Sequence, residues 1–250
     1  MRFLSFSRTI LLSLLLIFAA VPFSSRAEPL VADLSSHLIA VSTGFSGAEL
    51  LLYGATDGDG DVVVVIRGPE EETVVRKKER VAGVWINKGR QAFEKVPGYY
   101  TVAASGDLAK IVGNNVRLRK EIGIDRIQSV PSGIKDPAHK TYWKALLRNK
   151  IKMGLYPEKP GKVQILGGRL FRTDVVFPSN VPTGKYSVTA YLIRNGEIAS
   201  THSTPLSVSK TGVGAKVFEF AYRYSALYGI VAIFMAVFFG WAAGVVFRRL

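Results

Sequence analysis

The chain of 250 residues has no cysteine and only three histidines, and both scarcities narrow the chemistry open to it. Without cysteine there is no disulfide, no thiolate nucleophile and no cysteine that could carry a lipid. His37, His139 and His202 lie far apart in the sequence, and none stands at a spacing typical of metal ligands. The sequence therefore predicts a fold held by its hydrophobic core, with no metal site and no cofactor.

The loop motifs of common enzyme classes are also missing. There is no G-x-S-x-G nucleophile elbow and no glycine-rich phosphate loop that ends in lysine. Asp57, Asp59 and Asp61 begin like a calcium loop, but Val62 and Gly68 stand where an EF-hand needs glycine and glutamate. We interpret the aspartates as a solvated turn and expect a protein that is not an enzyme.

A third absence is that of charge in residues 228–247. As an α-helix these 20 residues would extend about 30 Å, the thickness of a bilayer's hydrocarbon core. A buried core helix is the alternative, although such a helix normally keeps a polar stripe. We predict a transmembrane helix over residues 226–247. Because Arg248 and Arg249 follow it and basic residues are retained in the cytoplasm, residues 248–250 are predicted to be a cytoplasmic tail.

The amino terminus has the layout of a secretory signal peptide. Two arginines precede an apolar run over residues 10–21, and the small residues Ser25 and Ala27 follow at the usual positions before a cleavage site. We predict a signal peptide over residues 1–27, with an uncleaved anchor as the alternative. Both interpretations leave the middle of the chain outside the cytoplasm. They predict a single-pass membrane protein whose amino-terminal region lies outside the cytoplasm.

Between these ends, runs rich in β-branched and aromatic residues alternate with turn signals. Residues 62–67 are almost continuously β-branched, and residues 186–194 begin with apolar–polar alternation. The dipeptide Asn195-Gly196 is a strong hairpin signal, because both turn positions need a positive φ. Residues 96–102 and 181–188 resemble each other, since each places a Pro/Gly turn before a tyrosine-led strand.

This pattern predicts an all-β exported region, in which we expect two immunoglobulin-like β-sandwich modules over residues 28–109 and 113–210. One larger sandwich is the alternative. Asp136-Pro137 interrupts the pattern and predicts a helical insertion over residues 136–153. Lys150 falls on the apolar side of this helix. Four basic residues at a spacing of four form a stripe on its other side: Lys140, Lys144, Arg148 and Lys152.

The charge is concentrated in the middle of the chain. Residues 28–109 hold 8 Lys/Arg and 12 Asp/Glu, a net charge of −4. Residues 110–172 hold 15 and 4, a net charge of +11, and residues 173–247 hold 5 and 3, a net charge of +2. A solvated basic face is one interpretation, and contact of the helical stripe with anionic lipid headgroups or an acidic partner is the other. No nucleic-acid-binding motif is present, so we expect no nucleic acid partner.

The predicted transmembrane helix carries small residues at a spacing of four. Such residues let two helices approach closely in a membrane, so we predict a helix-packing face that consists of Ala232, Ala236, Gly240 and Gly244. The partner helix would belong to an integral membrane protein or to a second copy of this chain.

The whole arrangement resembles a group of alphaproteobacterial single-pass transmembrane proteins of unknown function. The resemblance covers nearly the whole mature chain and is carried by residues 45–50, 62–69, 96–100, 136–147 and 181–186, and by the terminal span. It implies bacterial origin, and with the topology predicted above this means a single-pass protein of a bacterial inner membrane with a periplasmic amino-terminal region. It transfers no catalytic residue. It also implies, through genomic neighbours, an association with permeases of the sulfite-exporter type. The sequence therefore favours a non-enzymatic, membrane-tethered periplasmic accessory protein, with an anionic lipid- or polyanion-binding module as the alternative. A hydrolase lacks any supporting motif.

Overall fold

The computed structural model describes residues 29–133, 137–211, 217 and 220–248, which form thirteen strands and four α-helices. The strands are β1 Leu30–Leu34, β2 Leu38–Val41, β3 Gly47–Thr56, β4 Asp61–Arg67, β5 Glu70–Val81, β6 Val84–Pro97, β7 Tyr100–Ala104, β8 Val130–Ser132, β9 Gly161–Lys162, β10 Gln164–Leu166, β11 Leu170–Pro178, β12 Gly184–Arg194 and β13 Glu197–Lys210. The helices are α1 Leu108–Ile111, α2 Asn114–Lys120, α3 His139–Lys152 and α4 Ser225–Phe247, and a 3-10 turn lies at Ile124–Arg126. The predicted signal peptide, Asp136 and the last two residues lie outside the described residues.

Two sheets form a sandwich of immunoglobulin-like topology. One sheet has the strand order β1-β3-β11-β10 and the other has the order β2-β13-β12-β4-β7-β9. If β1, β3, β4, β7, β10, β11, β12 and β13 are lettered A, B, C, C′, D, E, F and G, the first sheet has the order A-B-E-D and the second contains G-F-C-C′. This is the arrangement of immunoglobulin domains. The hydroxyl of Thr204 in β13 donates to the carbonyl oxygen of Ala32 in β1 at 3.2 Å, and this bond joins the two sheets.

The sheets confirm the all-β class and correct the division into two modules. β11, from the second predicted module, pairs along its length with β3 from the first. In the other sheet β12 pairs with β4 in the same way. Because strands from residues 28–109 and from residues 113–210 share both sheets and one hydrophobic core, the region is a single sandwich.

β4 lies at the centre of the molecule because both of its faces are apolar. Its five residues from Val62 to Ile66 are all buried, which is the burial expected for a continuously β-branched run. β11 alternates between buried and exposed residues instead, since only one of its faces meets the core. The predicted hairpin turn is confirmed, because Asn195 and Gly196 have φ angles of 52° and 78° between the paired strands β12 and β13.

The two similar stretches found in the sequence meet at one end of the sandwich. Tyr99 and Tyr186 lie side by side, with ring centroids 6.1 Å apart. The hydroxyl of Tyr186, at the start of β12, donates to the carbonyl oxygen of Pro182, which makes the tyrosine corner of immunoglobulin-like folds. The resemblance therefore reflects one packed end of one sandwich. We call this end the tyrosine end.

The long strands β5 and β6 form a hairpin that belongs to neither sheet of the sandwich. They pair with each other, and β8 pairs with the inner part of β6 to give a separate three-stranded sheet. The turn of the hairpin consists of Ala82 and Gly83, whose φ angles of 49° and 86° are those of a tight type I′ turn. Helix α3 confirms the predicted helical insertion and lies against β5.

Candidate functional site

Helix α3 is held on the base of the hairpin by a small hydrophobic cluster. Tyr142 and Leu146 are buried against Phe93 and Val96 of β6. The Trp143 ring packs against the Phe93 ring at a centroid distance of 5.2 Å. Trp143, Leu147 and Ile151 of α3 also pack against the core of the sandwich, so the helix joins the base of the hairpin to the sandwich.

Lys150, which breaks the apolar side of the helix in the sequence, is buried as an ion pair. Lys150 is 8% exposed, and its ammonium donates to a carboxylate oxygen of Glu71 in β5. The Lys150 ammonium also lies 3.5 Å from the carbonyl oxygen of Gly98. A buried lysine needs such partners, because an unpaired ammonium is costly to remove from water. The sequence flagged this residue as a misfit but did not reveal its partner on the hairpin.

The predicted basic stripe lies on the opposite, solvent-exposed side of α3. All four of its residues are exposed, and none forms an ion pair with a described residue. The structure therefore brings the stripe together as one surface: Lys140, Lys144, Arg148 and Lys152. Whether that surface binds an anion stays a prediction.

A second basic surface, on the outer half of the hairpin, was missed by sequence reasoning. Residues 76–90 contain six Lys/Arg and one Asp/Glu. The acidic residue, Glu79, lies 2.7 Å from the Lys77 ammonium and 3.3 Å from that of Lys88. These hydrogen bonds lower the pKa of Glu79. The signal was local charge, and it was concealed because acidic residues elsewhere in residues 28–109 make the net charge of that interval negative.

The small-residue face of α4 is open in this single chain. All four predicted packing residues are exposed: Ala232, Ala236, Gly240 and Gly244. Apart from the backbone of its own helix, a Cβ added to either glycine would meet no atom of the described residues within 4 Å. The structure thus leaves room for close approach of a second helix, and helix pairing itself stays a prediction.

The carboxylates of the predicted solvated turn contact neighbouring side chains. Asp57 accepts a hydrogen bond from the Arg194 guanidinium, and the Asp61 carboxylate accepts one from the Ser105 hydroxyl at 2.7 Å. Within the described residues, no group of three or more His, Asp or Glu side chains is arranged to hold a metal ion. The aspartates therefore act as turn residues between β3 and β4.

Buried tyrosines line the sandwich near the tyrosine end. The Tyr100 hydroxyl donates to the carbonyl oxygen of Glu121 at 2.6 Å and accepts from the Gly123 amide at 2.8 Å. The Tyr156 hydroxyl donates to the carbonyl oxygen of Pro97 at 2.6 Å. Burial raises the pKa of both phenols above the ordinary value. These hydroxyls are used in structural hydrogen bonds.

A cleft of about 700 Å³ lies between β7, α1 and the segment that leads into β9. Part of its wall is an ion pair, in which the Arg117 guanidinium lies 3.1 Å from the Asp125 carboxylate. Its lining also includes Asp107, whose carboxylate caps α1, and the charged residues Glu158 and Lys162 beside several apolar ones.

These features define a class of protein: an immunoglobulin-like β-sandwich followed by a helix suited to a membrane. Among the described helices, α4 is long and apolar enough to cross a bilayer, with a mean hydropathy of 2.1 over residues 225–245. At about 1.5 Å per residue its 23 residues extend about 35 Å.

The chain belongs to the family described as "Putative transmembrane protein (Alph_Pro_TM)", whose family model matches residues 29–249. No curated protein matches the chain. Among solved structures, the chain is similar to the sporulation control protein Spo0M from Bacillus subtilis, at 10% identity and a TM-score of 0.28. That match covers 78% of this chain and 54% of the Bacillus chain.

Proposed function

We propose that this protein is a non-enzymatic accessory protein, tethered to the inner membrane by α4, whose sandwich lies on the periplasmic side. On this proposal residues 1–27 direct export as a signal peptide, and residues 248–250 stay in the cytoplasm. The arginines that follow the span support this orientation, because basic residues flank the cytoplasmic ends of membrane helices. The sandwich then serves as an interaction module held at the membrane surface.

The observation that carries the proposal is the open face of α4. Lipid tails provide no hydrophobic drive for helix pairing, so association depends on close packing at small residues. Gly240 and Gly244 offer such a surface in the half of the helix nearest the carboxyl terminus, and both are exposed. The partner is an integral membrane protein of the permease type, or a second copy of this chain.

The test places bulk on this face and, as a control, on the opposite one. Gly240→Ile with Gly244→Ile should abolish co-purification of the partner from native membranes while the chain still inserts. Val231→Ile with Val245→Ile adds side-chain bulk about half a turn away on the helix and should leave co-purification intact. Ala236→Cys in the cysteine-free chain gives a disulfide crosslink if the partner is a second copy. Equal capture and equal crosslinking by both double variants would remove α4 as the contact.

The orientation has its own test. A reporter that works only in the cytoplasm should be active when it is fused after Leu250. Activity of a periplasmic reporter at that position, with no activity of the cytoplasmic one, would reverse the proposed topology.

The exposed stripe on α3 favours a second candidate function, which is binding to an anionic lipid surface or another polyanion. Basic side chains near an anionic membrane contribute about 1 kcal/mol each, and salt screens the attraction. Replacing all four stripe residues by glutamine should weaken binding to phosphatidylglycerol vesicles at low salt. Binding equal to that of the parent would leave the stripe as a solvated face.

A further inference from the structure

The outer half of the β5–β6 hairpin extends away from both cores. Residues 84–90 are all exposed, and in residues 76–81 only Glu79 is partly covered. A two-stranded ribbon that packs on nothing is marginally stable in water. Near its base the Gly89 backbone lies close to the Tyr142 hydroxyl of α3. Between that point and the turn, both faces of the ribbon are open within the described residues.

The tip of this ribbon is apolar and aromatic. Four exposed residues surround the turn, with exposed fractions of 47%, 65%, 66% and 42%: Val81, Val84, Trp85 and Ile86. Contiguous exposed apolar residues at a loop tip are typical of contact with a protein or a membrane. Tryptophan in particular favours the boundary between water and lipid, because its ring is apolar and its N–H is polar.

The charged residues next to the tip indicate whether a protein or a membrane is the contact. Arg76 and Arg90 lie directly opposite each other across the ladder, and like charges in that position destabilise a sheet. Neither arginine forms an ion pair with a described residue, and the same holds for Lys78 and Arg80. An apolar tip with a cationic collar matches a bilayer whose headgroups are anionic.

The hairpin and the segment that leads to α4 both leave the sandwich at the same end. The hairpin leaves β4 after Arg67 and returns to β7 at Tyr100, and these two residues are register partners. Arg67 is also paired with Ser187 near the start of β12, where Gly184 is paired with Val208 near the end of β13. The chain therefore leaves the sandwich toward α4 from the tyrosine end, where the hairpin also begins.

The lengths are compatible with contact at one surface. The 12 residues of β5 extend about 40 Å at about 3.3 Å per residue. Fourteen residues separate Lys210 from Ser225, and four of them, residues 220–223, are helical. With about 1.5 Å for each of these and up to about 3.3 Å for each of the others, the segment spans at most about 39 Å. A sandwich tethered by α4 can thus sit with the hairpin tip at the bilayer.

We propose that the tip of the β5–β6 hairpin inserts into the interface of an anionic phospholipid bilayer, as a second membrane contact of the tethered sandwich. Val81, Val84, Trp85 and Ile86 enter the headgroup boundary, and the arginines and lysines behind them bind phosphate groups. The proposal rests on the tether in the proposed function and is independent of the partner of α4 and of the α3 stripe.

The test uses the full chain, reconstituted in vesicles of phosphatidylcholine with or without phosphatidylglycerol. Val84→Cys carries an environment-sensitive fluorophore, and Val176→Cys on β11 is the control, because the two valines are 65% and 63% exposed. The chain has no other cysteine to be labelled. Brominated lipids should quench the label at position 84 at least about twice as strongly as the label at position 176, and only when phosphatidylglycerol is present.

Two further measurements separate the sources of the effect. Glutamine at Arg76, Lys78, Arg80 and Arg90 together should reduce quenching at position 84 by about half or more, whereas glutamine at the four α3 stripe positions should leave it unchanged. In the unaltered chain, phosphatidylglycerol vesicles should slow tryptic cleavage after Arg80 and Lys88, which tests the contact without any substitution.

Equal quenching at positions 84 and 176 in both kinds of vesicle would overturn the proposal. So would protection of the hairpin in native membranes but not in vesicles, because that result would assign the tip to a protein partner. The Gly240→Ile, Gly244→Ile variant should quench normally, so the failure of α4 pairing and the failure of hairpin insertion are told apart.

Discussion

The half-buried ion pair of Lys150 and Glu71 leads to an asymmetric prediction. The Lys150 side chain is 10% exposed and the Glu71 side chain is 43% exposed, so the two ends of the pair differ in their access to water. If the lysine charge is removed, the carboxylate can turn to solvent. If the glutamate charge is removed, the ammonium stays buried with weaker acceptors, among them the carbonyl oxygen of Gly98 at 3.5 Å.

The magnitudes follow from this difference. Glu71→Gln weakens a charge-assisted hydrogen bond and should lower the free energy of unfolding by about 1–3 kcal/mol. Lys150→Met keeps the apolar stem of the side chain and should change the free energy of unfolding by less than about 1 kcal/mol. At about 3 °C per kcal/mol for a region of this size, Glu71→Gln lowers Tm by about 3–9 °C. The double variant should match Lys150→Met alone, because the glutamate charge no longer has a buried partner.

The assay is thermal and urea unfolding of the full chain in detergent, followed by circular dichroism. Lys152→Met, two residues further along the same helix and exposed, is the control and should stay within about 0.5 kcal/mol. If Lys150→Met costs as much as Glu71→Gln, or if the double variant costs the sum of the two, the argument from unequal burial is refuted.

Three further predictions concern the sandwich. Tyr186→Phe leaves the partly buried carbonyl of Pro182 without its donor and should cost about 1 kcal/mol, seen as a lower urea midpoint. Gly54→Ala should be severely destabilising in the same assay, because its Cβ would clash with the carbonyl oxygen of Val31 in β1. Gly44→Ala is the control, because its Cβ meets nothing within 4 Å among the described residues, and it should be neutral or slightly stabilising. Burial raises the pKa of Tyr100 and Tyr156 above the value of about 10 in unfolded chains. The contribution of these phenols to the free energy of unfolding is therefore intact below that pH and is lost as the pH rises beyond it. Ultraviolet titration should show late phenol ionisation that coincides with alkaline unfolding.

The local elements of this fold were predictable because their signals are local. The β-branched run of β4, the Asn195-Gly196 turn and the helical insertion depend on residue preferences within a few positions. The number of sandwiches was not predictable in the same way. Pairing of β3 with β11 joins residues more than one hundred positions apart, and nothing in either strand specifies the other.

The candidate site divides along the same line. Periodicity located the α3 stripe, and the structure leaves it exposed as a four-residue spacing predicts. The partner of Lys150 could not be found from the helix sequence alone, because Glu71 lies in β5, 79 positions earlier in the chain. The basic surface of the hairpin could have been found from the sequence if net charge had been counted over a window of about fifteen residues and not over the whole predicted module.

The tether changes how strong the hairpin contact has to be. A free protein held by one short acyl chain, with an association constant of about 10⁴ M⁻¹, is only marginally bound to membranes. Once α4 holds the sandwich at the surface, insertion of the tip becomes intramolecular, and the effective concentration replaces the concentration of free protein. An apolar tip of four residues and a few unpaired cations can then suffice, although they would not retain a sandwich that had been cut from α4. The short tip and the long apolar helix are thus consistent with one another. In the proposed arrangement the helix keeps the sandwich at the membrane, and the hairpin fixes the orientation of the sandwich above it.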